Sequence, residues 1–380
     1  MSQLNSDSEQ HSLSLVQAIR ERIEQQNSIS FAQFMQMALY QPGLGYYSSG
    51  SHKFGKHGDF ITAPELGSLF AQCMAQQFQQ VLSQIKEPII LELGAGTGQF
   101  AYDCLLELEK LNCLPHNYYI LEVSADLQQR QAKKIRSLPE NLSGRVEWIS
   151  QPLIDKFSGV IFANEVLDAL PVEVFKVIDN QFQQMQVTWE DNFKQTFKPM
   201  PEHLEKQIRD KGLILAENYV SEFIPNLASW LKSISENLKQ GIVLFTDYGY
   251  ERSAYYHPQR NQGTLVCFHQ HQANFDYFKN VGIQDMTAFV DFTAVAEAAD
   301  ECGLEVVGYT TQAHFLMSLG IEQKLGDSEG DYTNYYKNTT EMKKLVMPNE
   351  MGEKFKVIGL SKNIDDELIG FSFSNQLHLL

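Results

Sequence analysis

The chain has 380 residues, 43% of them hydrophobic and 20% charged, with 47 acidic against 30 basic side chains and a net charge of −17. That length allows one large domain with insertions, or two domains. The acidic balance argues against a phosphate-binding surface as the main business of the molecule. The five cysteines form no C-x-x-C pair. A disulfide framework or zinc knuckle is therefore not indicated, and a reducing cytoplasm is the expected setting. The stretch Met1 to Glu9 is polar, unlike a secretory signal, and lacks the basic character of a mitochondrial presequence. No apolar run reaches the length of a bilayer crossing.

In chain order, Leu13 to Glu24 has helical spacing with Leu15, Ile19 and Ile23 on one face, and Ser30 caps a second helix, Phe31 to Leu39. Pro42-Gly43-Leu44-Gly45 ends it, and Tyr46 to Thr62 reads as a loop. A third helix is expected from Pro64 to Ser83, with proline in its tolerated first turn. Alternation of strand and helix follows. Ile89 to Leu93, Tyr118 to Val123, Val146 to Ile149, Gly159 to Ala163 and Gly241 to Gly249 are the expected core strands. Such alternation predicts an α/β fold with a mostly parallel sheet and helices on both faces. Val172 to Ile178 and Phe182 to Trp189 form an expected hairpin around Asp179-Asn180, followed by a polar helix-like stretch. The stretch through Gly263 and His269 reads as a long loop, and Phe292 to Cys302 as a helix stopped by Gly303. Leu304 to Tyr309 and Phe355 to Leu360 are the last strands, placed at an antiparallel edge. The expected organisation is N-terminal helices and a lid loop over 1–85, a core over 86–363 with insertions at about 172–220 and 250–290, and a tail over 364–380.

The chemistry concentrates at strand ends. Leu91-Glu92-Leu93-Gly94-Ala95-Gly96-Thr97-Gly98 runs a buried strand into a glycine turn and then a helix. Glycine lets a ligand approach the main chain, and the new helix offers unpaired N–H groups. The dinucleotide fingerprint G-x-G-x-x-G would need glycine at Gln99; here the order is G-x-G-x-G. Glu122 ends the next strand, where a carboxylate can accept both hydroxyls of a ribose. Pro152 and Leu153 follow the third strand, where an adenine ring needs apolar cover. Asn164, Glu165 and Asp168 follow the fourth strand and Asp247 lies in the fifth, an amide and three acids suited to a planar cationic nitrogen such as guanidinium. His257, His269 and His271 lack the further ligands a metal requires, so no metal is expected. No G-x-S-x-G elbow or P-loop occurs.

The order of glycine turn, strand and acid resembles motif I of class I S-adenosylmethionine (SAM) methyltransferases. More of the chain resembles the MidA-type SAM-dependent methyltransferases, whose mitochondrial relatives assist assembly of respiratory complex I. The shared marks are Gly43-Leu44-Gly45-Tyr46-Tyr47, Gly58-Asp59-Phe60-Ile61-Thr62-Ala63-Pro64-Glu65, the glycine turn, Asn164-Glu165-Val166-Leu167-Asp168-Ala169-Leu170-Pro171, Asp247-Tyr248-Gly249 and Val290-Asp291-Phe292-Thr293. Ala95 stands where that family more often has proline. The resemblance implies a class I, Rossmann-like methyltransferase fold and SAM as cofactor. Gly94, Gly96, Thr97, Gly98 and Glu122 would hold it, and Asp59, Pro64 and Glu65 would belong to a lid. It also implies a protein arginine as acceptor, with Asn164, Glu165, Asp168 and Asp247 around it. A small-molecule N- or O-methyltransferase, and an assembly chaperone that keeps the cofactor fold without essential catalysis, are the alternatives. No nucleic-acid partner or membrane insertion is expected.

Overall fold

The computed structural model describes residues 2–48, 62–270 and 272–380, with side chains from Ser8 onward. The chain divides into two compact units: 1–60, 168–226 and 252–291 form the first, and 61–167, 227–251 and 292–380 the second. The N-terminal helices thus share a unit with the two insertions, while the C-terminal segment belongs with the core sheet.

The second unit is built on seven strands: β1 (Ile89–Leu93), β2 (Asn117–Leu121), β3 (Val146–Ile149), β4 (Phe157–Asn164), β5 (Leu238–Tyr250), β6 (Glu305–Thr311) and β7 (Phe355–Lys362). Their order across the sheet is β6-β7-β5-β4-β1-β2-β3. The pairs from β3 through β5 are parallel, whereas β7 runs antiparallel to both β5 and β6. The strand order reverses between β1 and β4, the place where open α/β sheets leave a crevice at their carboxyl ends. Register levels those ends: Leu93 faces Leu121 on one side and Ala163 on the other. One further backbone bond continues each ladder, from Gly94 N–H to Leu121 O (3.1 Å) and from Glu122 N–H to Ile149 O (3.1 Å).

Three helices cover the sheet near this edge. The expected helix from Pro64 to Ser83 is two helices, α1 (Ala63–Leu66) and α2 (Leu69–Leu82). The break falls at Gly67, where a Cβ would sit 1.9 Å from the Glu341 carboxylate. Glu341 reaches in to accept the Leu69 N–H at 2.7 Å, capping α2 where no local side chain does. Burial pushes this carboxyl up to about 7. Helix α3 (Gln99–Lys110) opens directly after the glycine turn. Its Phe100 stacks on Phe162 of β4 at 4.3 Å, and Phe70 and Phe78 of α2 pack edge-on against Phe100. This aromatic cluster fixes where the helix starts, and hence where the turn lies.

Glu92 of β1 points into that core, and Tyr118 donates to it at 2.8 Å. Burial pushes its carboxyl up to about 8, the Tyr118 bond opposes that shift, and the charge of Glu122 adds to it. The folded value lies above the ordinary 4.5, so the folded state holds a proton that the unfolded state releases, and stability falls as pH rises from 4.5 to 8. Glu92→Gln removes the titration. Thermal melts at mildly acidic and mildly alkaline pH should show the two proteins converging in acid and the variant melting higher in alkali.

The first unit holds helices Ser2–Gln26 and Phe31–Tyr40. Ser30 caps the second, as the sequence predicts, and Gln33 completes a capping box with it. The hairpin Glu173–Ile178 and Gln181–Glu190 turns at Asp179 and Asn180, both left-handed (φ 52° and 57°). Strands Ile29–Ser30, Asn192–Pro199 and Val220–Phe223 complete a five-stranded sheet. The polar stretch expected to be helix-like therefore begins as a strand, and its helix is Glu202–Asp210. The expected long loop through His269 carries three short strands, Val266–His269, Gln272–Asn274 and Asp285–Thr287. Runs of three or four residues are too short to show a period of two.

Candidate cofactor and acceptor site

The glycine turn is left-handed at all three glycines, with φ of 63° at Gly94, 53° at Gly96 and 81° at Gly98. A Cβ at Gly94 would lie 3.1 Å from Val166, and one at Gly98 3.2 Å from the Gln131 backbone; at Gly96 it would meet nothing within 4 Å. Two glycines therefore serve the protein's own packing, and the third opens main chain to a ligand. Thr97, between them, donates its hydroxyl to Glu65 of α1. The structure thus brings together Gly94, Gly96, Thr97, Gly98 and Glu65, with Pro64 buried in the same short helix. Asp59 lies outside the described residues.

Glu122 stands one residue past β2 and is 5% exposed. Its Oε1 accepts the Ser124 N–H at 2.8 Å and its Oε2 accepts Gln131 Nε2 at 3.0 Å. Both donors belong to the start and body of helix α4 (Ala125–Ile135), capped by Ser124. Val123, next in the chain, leaves 63% of its surface in solvent, and Ile154, beyond Pro152 and Leu153, leaves 86%. Apolar side chains held out at the carboxyl ends of β2 and β3 are the surfaces on which a purine ring can lie. Asn237 donates to the Leu153 carbonyl at 3.0 Å and pins the segment. Val123 and Ile154 carry no motif, and only their exposure reveals them.

Asn164 is the last residue of β4 and Glu165 follows it. Glu165 is left-handed (φ 55°), a conformation that strains a residue with a Cβ. The strain is held by its N–H bond to Thr246 O (2.9 Å) and by Asp247. Asp247 is 1% exposed, and its Oδ2 accepts the Val166 and Leu167 N–H groups at 3.2 and 2.9 Å while Oδ1 accepts the Tyr248 N–H at 2.9 Å. That carboxylate, expected among the acids around the acceptor, binds the backbone of the turn. The turn in turn presents Asn164, whose Nδ2 donates to Glu165 Oε1 at 3.1 Å. Asn164 Oδ1 is buried with no hydrogen-bond partner among the described residues. An orphaned acceptor of this kind is costly unless something else binds it. Asp168 belongs to the first unit, where its carbonyl accepts the Ala288 N–H at 3.0 Å. There it lies with Asp285 among the charges that, after burial, hold the Tyr47 hydroxyl well above its ordinary value. Of the three histidines, His269 places Nδ1 2.9 Å from the Ile283 carbonyl, and His271 lies outside the described residues.

The donor set fits SAM: open main chain at Gly96 for the amino-acid end, a fixed carboxylate at Glu122 for the ribose, and apolar cover beside it. Comparison with known proteins agrees. The model of a family described as "Putative S-adenosyl-L-methionine-dependent methyltransferase" matches residues 69–310. Over 98% of both chains, the fold is similar to that of a protein from Burkholderia thailandensis crystallised with S-adenosyl-homocysteine, with 36% identity and a TM-score of 0.94. The protein arginine methyltransferase NDUFAF7 homolog, mitochondrial, of Drosophila melanogaster is 27% identical, over 94% of this chain and 89% of its own. The human protein arginine methyltransferase NDUFAF7, mitochondrial, is 25% identical, over 89% and 81%.

Proposed function

The chain belongs to this family of SAM-dependent methyltransferases, and from that premise we propose that it methylates the guanidinium of an arginine in a protein. The observation that carries the reading is the pair at the end of β4: a buried, orphaned Asn164 amide oxygen beside the Glu165 carboxylate. Guanidinium offers five N–H donors in a plane and no acceptor, which complements two neighbouring acceptors. The acidic surface, net charge −17, favours a basic partner. Relatives named as protein arginine methyltransferases support the same acceptor.

When bound, the cofactor supplies a methyl group on a positively charged sulfur. Gly96 would admit its amino-acid end, in a turn that Gly94 and Gly98 allow to pack; Glu122 would accept its ribose hydroxyls, and Pro152, Leu153 and Val123 would cover its base. Asn164 Oδ1 and Glu165 align the acceptor. Guanidinium is charged at neutral pH, so a proton must leave as nitrogen gains carbon, and Glu165 would be the base that takes it. Five free cysteines favour a reducing compartment such as the cytoplasm. Among the described residues, no helix is long and apolar enough to cross a membrane.

The test is transfer of labelled methyl from SAM into a lysate from which the endogenous enzyme has been deleted, followed by mass spectrometry. Label should enter protein as methylarginine, and Asn164→Ala or Glu165→Gln should lower it about 100-fold. Label confined to metabolites would replace the arginine reading with a small-molecule acceptor. Rescue of cells by a variant unable to bind SAM would favour a chaperone.

A further inference from the structure

Helix α4 buries one face through Leu127, Gln131 and Ile135, and the middle member of this apolar stripe is a glutamine with 0% exposure. Burying a carboxamide is unfavourable unless every polar atom is paired. Here every one is. Gln131 Nε2 donates to the Gly96 carbonyl at 3.0 Å and to Glu122 Oε2 at 3.0 Å, and Oε1 accepts the Trp148 indole N–H at 2.8 Å. The indole can only donate and a carbonyl can only accept, so the neighbours dictate which way the amide faces. Gln131 also backs the turn sterically, since a Cβ on Gly98 would press on its backbone at 3.2 Å.

We propose that Gln131 is the positioning residue of the cofactor site. It ties the glycine turn after β1, the ribose acid after β2 and Trp148 of β3 to one rigid amide. The amino-acid and sugar grips are thereby held at a fixed separation before the cofactor arrives. Gln131 does not touch the cofactor; it acts through Glu122 and Gly96, and Trp148 registers what happens there. The proposal rests on Glu122 holding the ribose.

A double-mutant cycle on the full chain tests it, with S-adenosyl-homocysteine binding read by calorimetry. Gln131→Met, similar in volume but without polar atoms, should weaken binding about 10-fold or more when Glu122 is present and less than about 3-fold in a Glu122→Ala background. Equal losses in both backgrounds, or none in either, would overturn the proposal while leaving the ribose assignment standing. If Glu122→Ala itself binds normally, the ribose assignment fails and this proposal with it. A second measurement needs no substitution at Gln131. The Trp148 indole N–H resonance, assigned through Trp148→Phe, should shift when S-adenosyl-homocysteine saturates the protein, and an unmoved resonance counts against the coupling.

Discussion

Asp247→Ala should leave the fold recognisable but remove about 3 kcal/mol of stability and lower kcat about 100-fold, with a smaller change in cofactor affinity. The stability loss follows from the backbone. Val166 and Leu167 donate to one carboxylate oxygen at 3.2 and 2.9 Å, and the variant leaves those N–H groups without their acceptor. Each such orphan costs about 1–3 kcal/mol. The activity loss follows from Glu165, whose left-handed backbone (φ 55°) persists only while the turn is clamped. Once the clamp is gone, the Asn164 amide and the Glu165 carboxylate drift from the acceptor, and a displacement of about 1 Å is enough for a hundredfold loss. Asp247→Asn should fall between wild type and alanine, because an amide has one acceptor oxygen where the native group has two. Steady-state kinetics with denaturant melts on the same preparations would check both halves. Wild-type kcat in the alanine variant would show that the turn holds itself.

Glu122→Ala should weaken S-adenosyl-homocysteine binding at least 100-fold, and should also lower stability by about 1–3 kcal/mol for each of the two buried donors, Ser124 N–H and Gln131 Nε2, that lose their acceptor. Two hydrogen bonds from ribose hydroxyls to a carboxylate, at about 1.5–3 kcal/mol each, set the scale of the binding loss. Glu122→Gln should be nearly as damaging. A glutamine there turns an N–H₂ toward the Ser124 N–H or toward Gln131 Nε2, donor against donor, where the carboxylate now accepts at 2.8 and 3.0 Å. Isothermal titration of the three proteins distinguishes this from a mere loss of charge, under which the amide would bind much better than alanine. Because the Glu122 charge is among the causes that raise Glu92, both variants should also lower the Glu92 carboxyl toward its ordinary range.

The glycine turn and the place of Glu122 after the next strand were legible in the sequence because they are local. Glycines spaced by two, and an acid one strand later, are each fixed by the residues around them, and the parallel order of β1 to β5 follows from alternating periodicity. The short strands between 266 and 287 were not legible, since three residues carry no pattern. The backbone bonds of Asp247 were hidden for another reason. An aspartate in a fifth strand looks alike in sequence whether or not it accepts from backbone amides, and only the distances to Val166 and Leu167 show that it does. Gln131 did leave a trace: a polar residue four positions from Leu127 and four from Ile135, on a face that otherwise asks for aliphatic side chains. As an exception to that stripe, it marks the helix that holds Glu122. The boundary between the two units falls at Asp168, where the chain leaves the sheet, which no local pattern records.

The capping of α2 by Glu341 has a consequence for how the protein is made. Leu69 and Glu341 lie 272 residues apart, so most of the polypeptide must leave the ribosome before α2 receives its cap. β7, which lies between β5 and β6, is later still. A nascent chain therefore carries its glycine turn and Glu122 long before it can finish the sheet beside them. Throughout that interval it exposes the strand edge of β5, and translation ordered from the N-terminus makes this edge the one a cellular holdase would have to shield.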